Sequence, residues 1–117
     1  SPLQVLKEAH RIIRRDGKLM LGLVLKESPW GKFYQKKKKL GYPFYKHATF
    51  YKFDEVVRLL VQAGFVTERT VSTLFQRPGE VRHMEVPKEG YFAGAGFTIM
   101  VAGKKAVATE ATNRDYE

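Results

Sequence analysis

Seven consecutive residues, Leu19 to Leu25 (LMLGLVL), carry no polar side chain. The run is far short of the roughly 20 apolar residues that a membrane helix needs. It lacks the alternation of a strand with one wet face. A short apolar run directly after a helix stop reads as a strand buried on both faces, the habit of parallel sheets covered by helices. Such a strand needs a neighbour along its edges, so something should lie beside Leu19 to Leu25.

The flanking sequence supplies candidates. Leu3, Leu6, Ala9, Ile12 and Ile13 recur at helical spacing. Ser1 reads as the N-cap, Pro2 as the first helical residue and Gln4 as the partner in a capping box. Arg14 and Arg15 suit the negative end of that helix, and Gly17 a left-handed stop. A chain that opens on a capped helix and without methionine is expected to continue an architecture begun upstream. Further on, Asp54 is the expected cap of a second helix, with Val56, Val57, Leu59, Leu60 and Ala63 as its apolar stripe and Gly64 as its stop. Val66 to Phe75 and Phe97 to Ala102 read as strands. Residues 76–95, with Pro78, Gly79, Pro87, Gly90 and Gly94, read as a long loop, and 104–117 as a polar tail. The order is helix, strand, loop, helix, strand, loop, strand. It predicts an α/β domain in which a crossover helix joins two parallel strands and a final strand runs antiparallel.

At 117 residues the chain is at most one domain. It has no cysteine, which excludes disulfides, thiol nucleophiles and cysteine metal sites, and a cytoplasmic location is expected. Its net charge of +9 is lopsided. Residues 1–52 hold thirteen Lys or Arg against three acids, a balance of +10, and the remainder is near neutral. Such asymmetry fits an anionic partner: nucleic acid, a phosphorylated or carboxylated small molecule, or a membrane surface. A solvated lysine-rich surface is the plainer explanation.

Two blocks carry a family resemblance. Leu6-Lys7-Glu8-Ala9-His10-Arg11-Ile12-Ile13, followed by Arg15-Asp16-Gly17-Lys18-Leu19, resembles the helix leading into the fifth strand of class I S-adenosylmethionine-dependent methyltransferases, in the branch acting on small molecules. Phe53-Asp54-Glu55-Val56-Val57-Arg58-Leu59-Leu60, running on to Ala63-Gly64-Phe65, is similar to the helix before that family's sixth strand. Gly94-Ala95-Gly96-Phe97 sits where its last, antiparallel strand begins. The resemblance covers residues 3–103 and implies the second half of a Rossmann-like methyltransferase sheet, with the last strand inserted between the other two. It also implies S-adenosylmethionine as cofactor. The family's glycine-rich cofactor loop and the acidic residue ending its second strand have no counterpart here, so the cofactor is expected to be bound mainly by a half absent from this chain. No cofactor-binding residue can be assigned. That N-terminal half, or a second copy of the chain, is the expected partner.

Ligands of open α/β sheets bind outside the carboxyl ends of the parallel strands. There the segment 26–52 would emerge beside the loop 76–95. The first carries Trp30, Tyr34, Tyr45, His47 and Tyr51, and the second His83, Met84, Tyr91 and Phe92. The expectation is a lid over a small-molecule acceptor, with Trp30, Tyr34, Tyr45, Tyr51 and Tyr91 lining the site. Where the acceptor needs a base, His47 is the first candidate and His83 the second, with Tyr34 and Tyr45 as hydrogen-bond donors. For any single ring the plainer role is to fasten a small helix onto the body. The run Lys36 to Lys39 is expected to face solvent. The rival reading, a nucleic-acid-binding module, would use those lysines with aromatic stacking. His83 and Glu85 are too sparse for a metal site, and no membrane partner is expected.

Overall fold

The computed structural model describes residues 1–43 and 49–105. Helix α1 (Pro2–Ile12) leads to strand β1 (Lys18–Leu23), helix α2 (Pro29–Lys39), helix α3 (Phe53–Gln62), strand β2 (Phe65–Thr73), a two-residue strand β3 (Lys88–Glu89) and strand β4 (Phe97–Lys104). The sheet order is β1-β4-β2-β3, and every pairing is antiparallel. No two parallel strands pair among the described residues. Strands β1 and β2 never touch, because β4 occupies the space between them and bonds to both. They nevertheless share a direction, each opposed to β4.

One face of the sheet carries the core. Leu19, Leu21 and Leu23 of β1 share that face with Met100 and Ala102 of β4 and Phe65 of β2. They pack under Leu6 of α1 and Val56, Leu60 and Ala63 of α3. The opposite face is only half covered, and Met20 stands 68% exposed. Burial along β1 therefore alternates, which corrects the reading of a strand enclosed on both sides. No strand pairs with the outer edge of β1 among the described residues. At one end of the open face, Lys18 Nζ bonds Glu68 Oε1 at 2.7 Å beside Gly103.

Local details depart from expectation in instructive ways. Ser1 makes no side-chain cap bond. Gly17 does not take a left-handed φ. It lies so close to Ile13 that a Cβ would stand 2.7 Å from Cγ2, so the glycine serves close approach. Helix α3 is capped from Lys52 rather than Asp54: the Glu55 carboxylate accepts the Lys52 N–H at 2.7 Å. Asp54 falls in the first turn, where a negative charge suits the helix dipole. Gly64 does take φ +96°, as a helix stop requires, and its bare Cα admits the His10 ring. His10 in turn meets Phe65 edge-on at 5.1 Å. No described helix is long and apolar enough to cross a membrane. The tail from residue 106 lies outside the described residues.

The two faces predict different mutational costs. Leu60, fully buried, should lose about 2–5 kcal/mol of stability on Leu60→Ala. Met20→Ala should stay within about 0.5 kcal/mol. Chemical denaturation compares them, and equal losses would show the open face to be packed like the other.

Candidate functional site

Both long segments leave the sheet at one edge. Leu23 and Ser72, near the ends of β1 and β2, pair with the same residue, Thr98. What was read as a lid from residue 26 contains helix α2. Its start is built locally: Ser28 is buried, its Oγ accepts the Gly31 N–H at 2.9 Å and donates to Leu25 O at 2.8 Å. Gly31 is obligatory there, since a Cβ would lie 1.9 Å from Leu25 O. Four lysines, Lys36 to Lys39, form the last turn, where positive charge complements the carbonyl end of the helix. Lys37 Nζ lies 5.3 Å from the Phe33 ring and 4.5 Å from the Tyr42 ring.

Trp30 binds α2 to the second segment. Its Nε1–H donates to Gln76 O at 2.7 Å, and its indole lies on Gly96, where a Cβ would be 2.3 Å from Cδ1. Phe33 and Tyr34 pack beside it with centroids 6.4 and 6.1 Å away. The helix-fastening role thus accounts for Trp30.

The second segment opens at Leu74, whose φ of +64° is the only left-handed backbone at a non-glycine among the described residues. It also contains β3, which the sequence did not announce. Residues 75–85 have no regular structure and are organised instead by two side chains. Glu85 Oε1 accepts the Phe75 N–H at 2.8 Å, and Glu85 Oε2 accepts the Gln76 N–H at 3.3 Å. Gln76 Nε2 donates to Glu85 Oε2 at 2.7 Å and to His83 O at 2.8 Å. Gln76 Oε1 accepts the N–H groups of Arg82 and His83 at 2.7 and 3.3 Å. These bonds, the Gln76 side chain first and the Phe75 amide next, hold the Glu85 carboxyl below its usual range. His83 is exposed on the rim of a cleft of about 320 Å³ formed by this turn.

A second polar group sits just past β1. Glu27 Oε2 accepts the Phe53 N–H at 3.2 Å and the Tyr91 hydroxyl, while Tyr91 stacks on Phe53 with centroids 4.1 Å apart. Glu27 Oε1 is buried with no hydrogen-bond partner among the described residues. Burial, then the bond to Glu27, pushes the Tyr91 hydroxyl up to about 12, so at neutral pH it is a donor and not a base.

The candidate residues consequently occupy distinct places. Trp30 and Tyr34 lie on α2, Tyr91 on Phe53, and His83 on the 75–85 turn. Tyr51 lines a different cleft, with Pro2 and α3. Tyr45 and His47 fall outside the described residues. Sequence reasoning missed Glu27, Gln76 and Glu85. Their signal is faint, an acid just beyond a strand end and a Gln and Glu bracketing a Pro-Gly turn.

Because the folded Glu85 is the stronger acid, its contribution is present above the ordinary carboxylate value of about 4.3 and is lost as pH falls through the depressed folded value. NMR titration should show the Phe75 and Gln76 amide signals moving together in that acidic window. Glu85→Ala should abolish the transition, and its persistence would refute the assignment.

No family model matches the sequence. The chain is 36% identical over 104 residues to the uncharacterized protein MJ1123 of Methanocaldococcus jannaschii, covering 89% of this chain and 49% of that protein. It is 33% identical over 107 residues to Rv2003c of Mycobacterium tuberculosis, also uncharacterized, covering 91% and 38%. The chain thus spans about half, or less, of the curated relatives it matches. Among solved structures it resembles a Thermotoga maritima protein, TM1293, described as an S-adenosylmethionine-dependent methyltransferase and possible histamine N-methyltransferase. The TM-score is 0.80 at 40% identity, covering 90% of this chain and 49% of the other. The residues here do not fit the principal cradle of the cofactor: among those described, no glycine-rich turn leads from a strand into a helix, and β1 enters α2 through Ser28 and Pro29. The chain carries a methyltransferase-like α/β fold, matching about half of an S-adenosylmethionine-dependent methyltransferase.

Proposed function

We propose that this chain is the acceptor-side half of an S-adenosylmethionine-dependent methyltransferase acting on a small molecule. The observation that carries this reading is the likeness to TM1293, at TM-score 0.80 and 40% identity over 90% of the chain. The cofactor supplies the electrophilic methyl group and is held mainly by the other half of the domain. That half, or a second copy, covers the free edge of β1 and the face bearing Met20, where apolar surface is otherwise left in water.

This chain's own part is positional. Methyl transfer gains most from aligning acceptor and methyl donor, so rigid surroundings matter more than reactive side chains. The Trp30 bond to Gln76 and the Tyr91 bond to Glu27 each tie the segment after β1 to the segment after β2. Together they hold the edge in one shape and limit the entry of water. Where an acceptor needs a base, His47 is the first proposed candidate and His83 the second, and Tyr91 offers a proton-bearing hydroxyl. Nucleic acid has no role in this reading. The Phe33 ring is engaged by Trp30, Tyr34 and Lys37, which leaves a poor stacking platform.

Titration calorimetry tests the division of labour. The 117-residue chain alone should give no measurable heat with S-adenosylmethionine, and micromolar 1:1 binding would overturn the half-domain proposal. In the full-length protein, Trp30→Ala should reduce methyl transfer by about a hundredfold, the cost on record for a displacement of about 1 Å. Changing Lys36 to Lys39 to glutamine should leave turnover within about twofold, because those charges serve the end of α2.

A further inference from the structure

We infer that the 75–85 turn binds an anionic group, a carboxylate or a phosphate, carried by a small molecule. As the acceptor's site this rests on the methyltransferase reading; as an anion site it stands on the geometry alone. The cleft of about 320 Å³ is lined by Phe75, Gln76, Arg77, Glu80, Arg82 and His83. The cleft is shallow and open to solvent, so it suits one charged group of a ligand rather than the enclosure of a whole molecule.

Charge decides the ligand class. Arg11, Arg14, Arg58 and Arg69 each face an acidic partner, while Arg15 forms no ion pair among the described residues. Arg77 and Arg82 form no ion pair among the described residues, although two acids lie in the same turn. Glu85 is committed to the Phe75 and Gln76 amides and the Gln76 side chain. Glu80 shares the cleft wall without bridging either guanidinium. Lys88 Nζ stands 4.8 Å from the Phe75 ring centroid and adds positive charge nearby. Two unpaired guanidiniums on one small cleft match the planar, bidentate chemistry of carboxylate and phosphate oxygens. The Phe75 ring, already met by Phe92 and by Lys88, gives the cleft one apolar wall and leaves recognition to the charged groups.

The turn is also built to hold its shape. Gln76 and Glu85 fix both of its ends, and Trp30 fixes Gln76 to α2, so little ordering remains to be done when a ligand arrives. This chemistry accounts for His83 differently from a base. An exposed imidazole beside two arginines is placed to donate a hydrogen bond to the same anion.

Ligand-observed NMR on the full-length protein, with benzoate, phenyl phosphate and benzylamine as probes, tests the inference. At least one anion should bind about tenfold more tightly than benzylamine and weaken as salt is raised. Whether benzoate or phenyl phosphate leads identifies the group. Arg77→Gln with Arg82→Gln should remove about tenfold of that affinity without lowering the melting temperature, since both side chains are exposed. Glu85→Ala, which keeps both guanidiniums but frees the turn, should weaken the anion by a smaller factor. Equal affinities for the three probes, or unchanged binding in the double variant, would overturn the site. S-adenosylmethionine binding is measured on the same samples. Cofactor binding without anion selectivity refutes the site alone, and anion selectivity without cofactor binding refutes only the methyltransferase reading.

Discussion

The arrangement depends on β4 bonding to a strand on each side. Its backbone groups are satisfied along both edges, and the fold pivots on that satisfaction. Because β1 and β2 are each opposed to the same strand, they must point the same way. Their following segments then leave at a common edge, without any contact between β1 and β2 themselves. A strand that follows both segments in sequence thus decides where they meet.

Different parts of this were legible in the sequence to different degrees. Helices α1 and α3 announced themselves through Leu6, Val56 and Leu60 at helical spacing, and those residues do form the core. The apolar run in β1 revealed a strand but overstated its burial, because Met20 lies on a face that the described chain covers only in part, with Phe97 over Gly22. Strand order cannot be read from local pattern, since antiparallel insertion and parallel adjacency need the same apolar residues. Only the family resemblance anticipated the inserted last strand. At the candidate site, the aromatic residues were visible because rings are rare in loops. The groups that order the 75–85 turn were not, because Gln76 and Glu85 act on backbone amides, and that partnership leaves no periodicity.

The chain holds two kinds of positive charge. Lys36 to Lys39 end a helix and ease its unpaired carbonyls. Arg77 and Arg82 cap no helix and form no ion pair among the described residues, with Glu80 on the same wall. Exposed charges of this kind are tolerated anywhere, but two beside one concave surface in a braced turn concentrate field where a ligand fits. The sequence balance of +10 in the first 52 residues pointed to the lysines. The structure shifts attention to the near-neutral remainder of the chain.

Gly96 shows how a constraint can be inherited from a distant residue. Its own backbone requires nothing that other residues could not adopt, and it has no left-handed φ. Its emptiness is the seat for the Trp30 indole, and its amide bonds Leu74 O at 2.7 Å. Positions 30, 74 and 96 are therefore sterically linked. A Cβ at 96 would also stand 2.9 Å from Leu74 O, so shrinking residue 30 alone does not free position 96, and the indole and the 74 carbonyl hold it to glycine together.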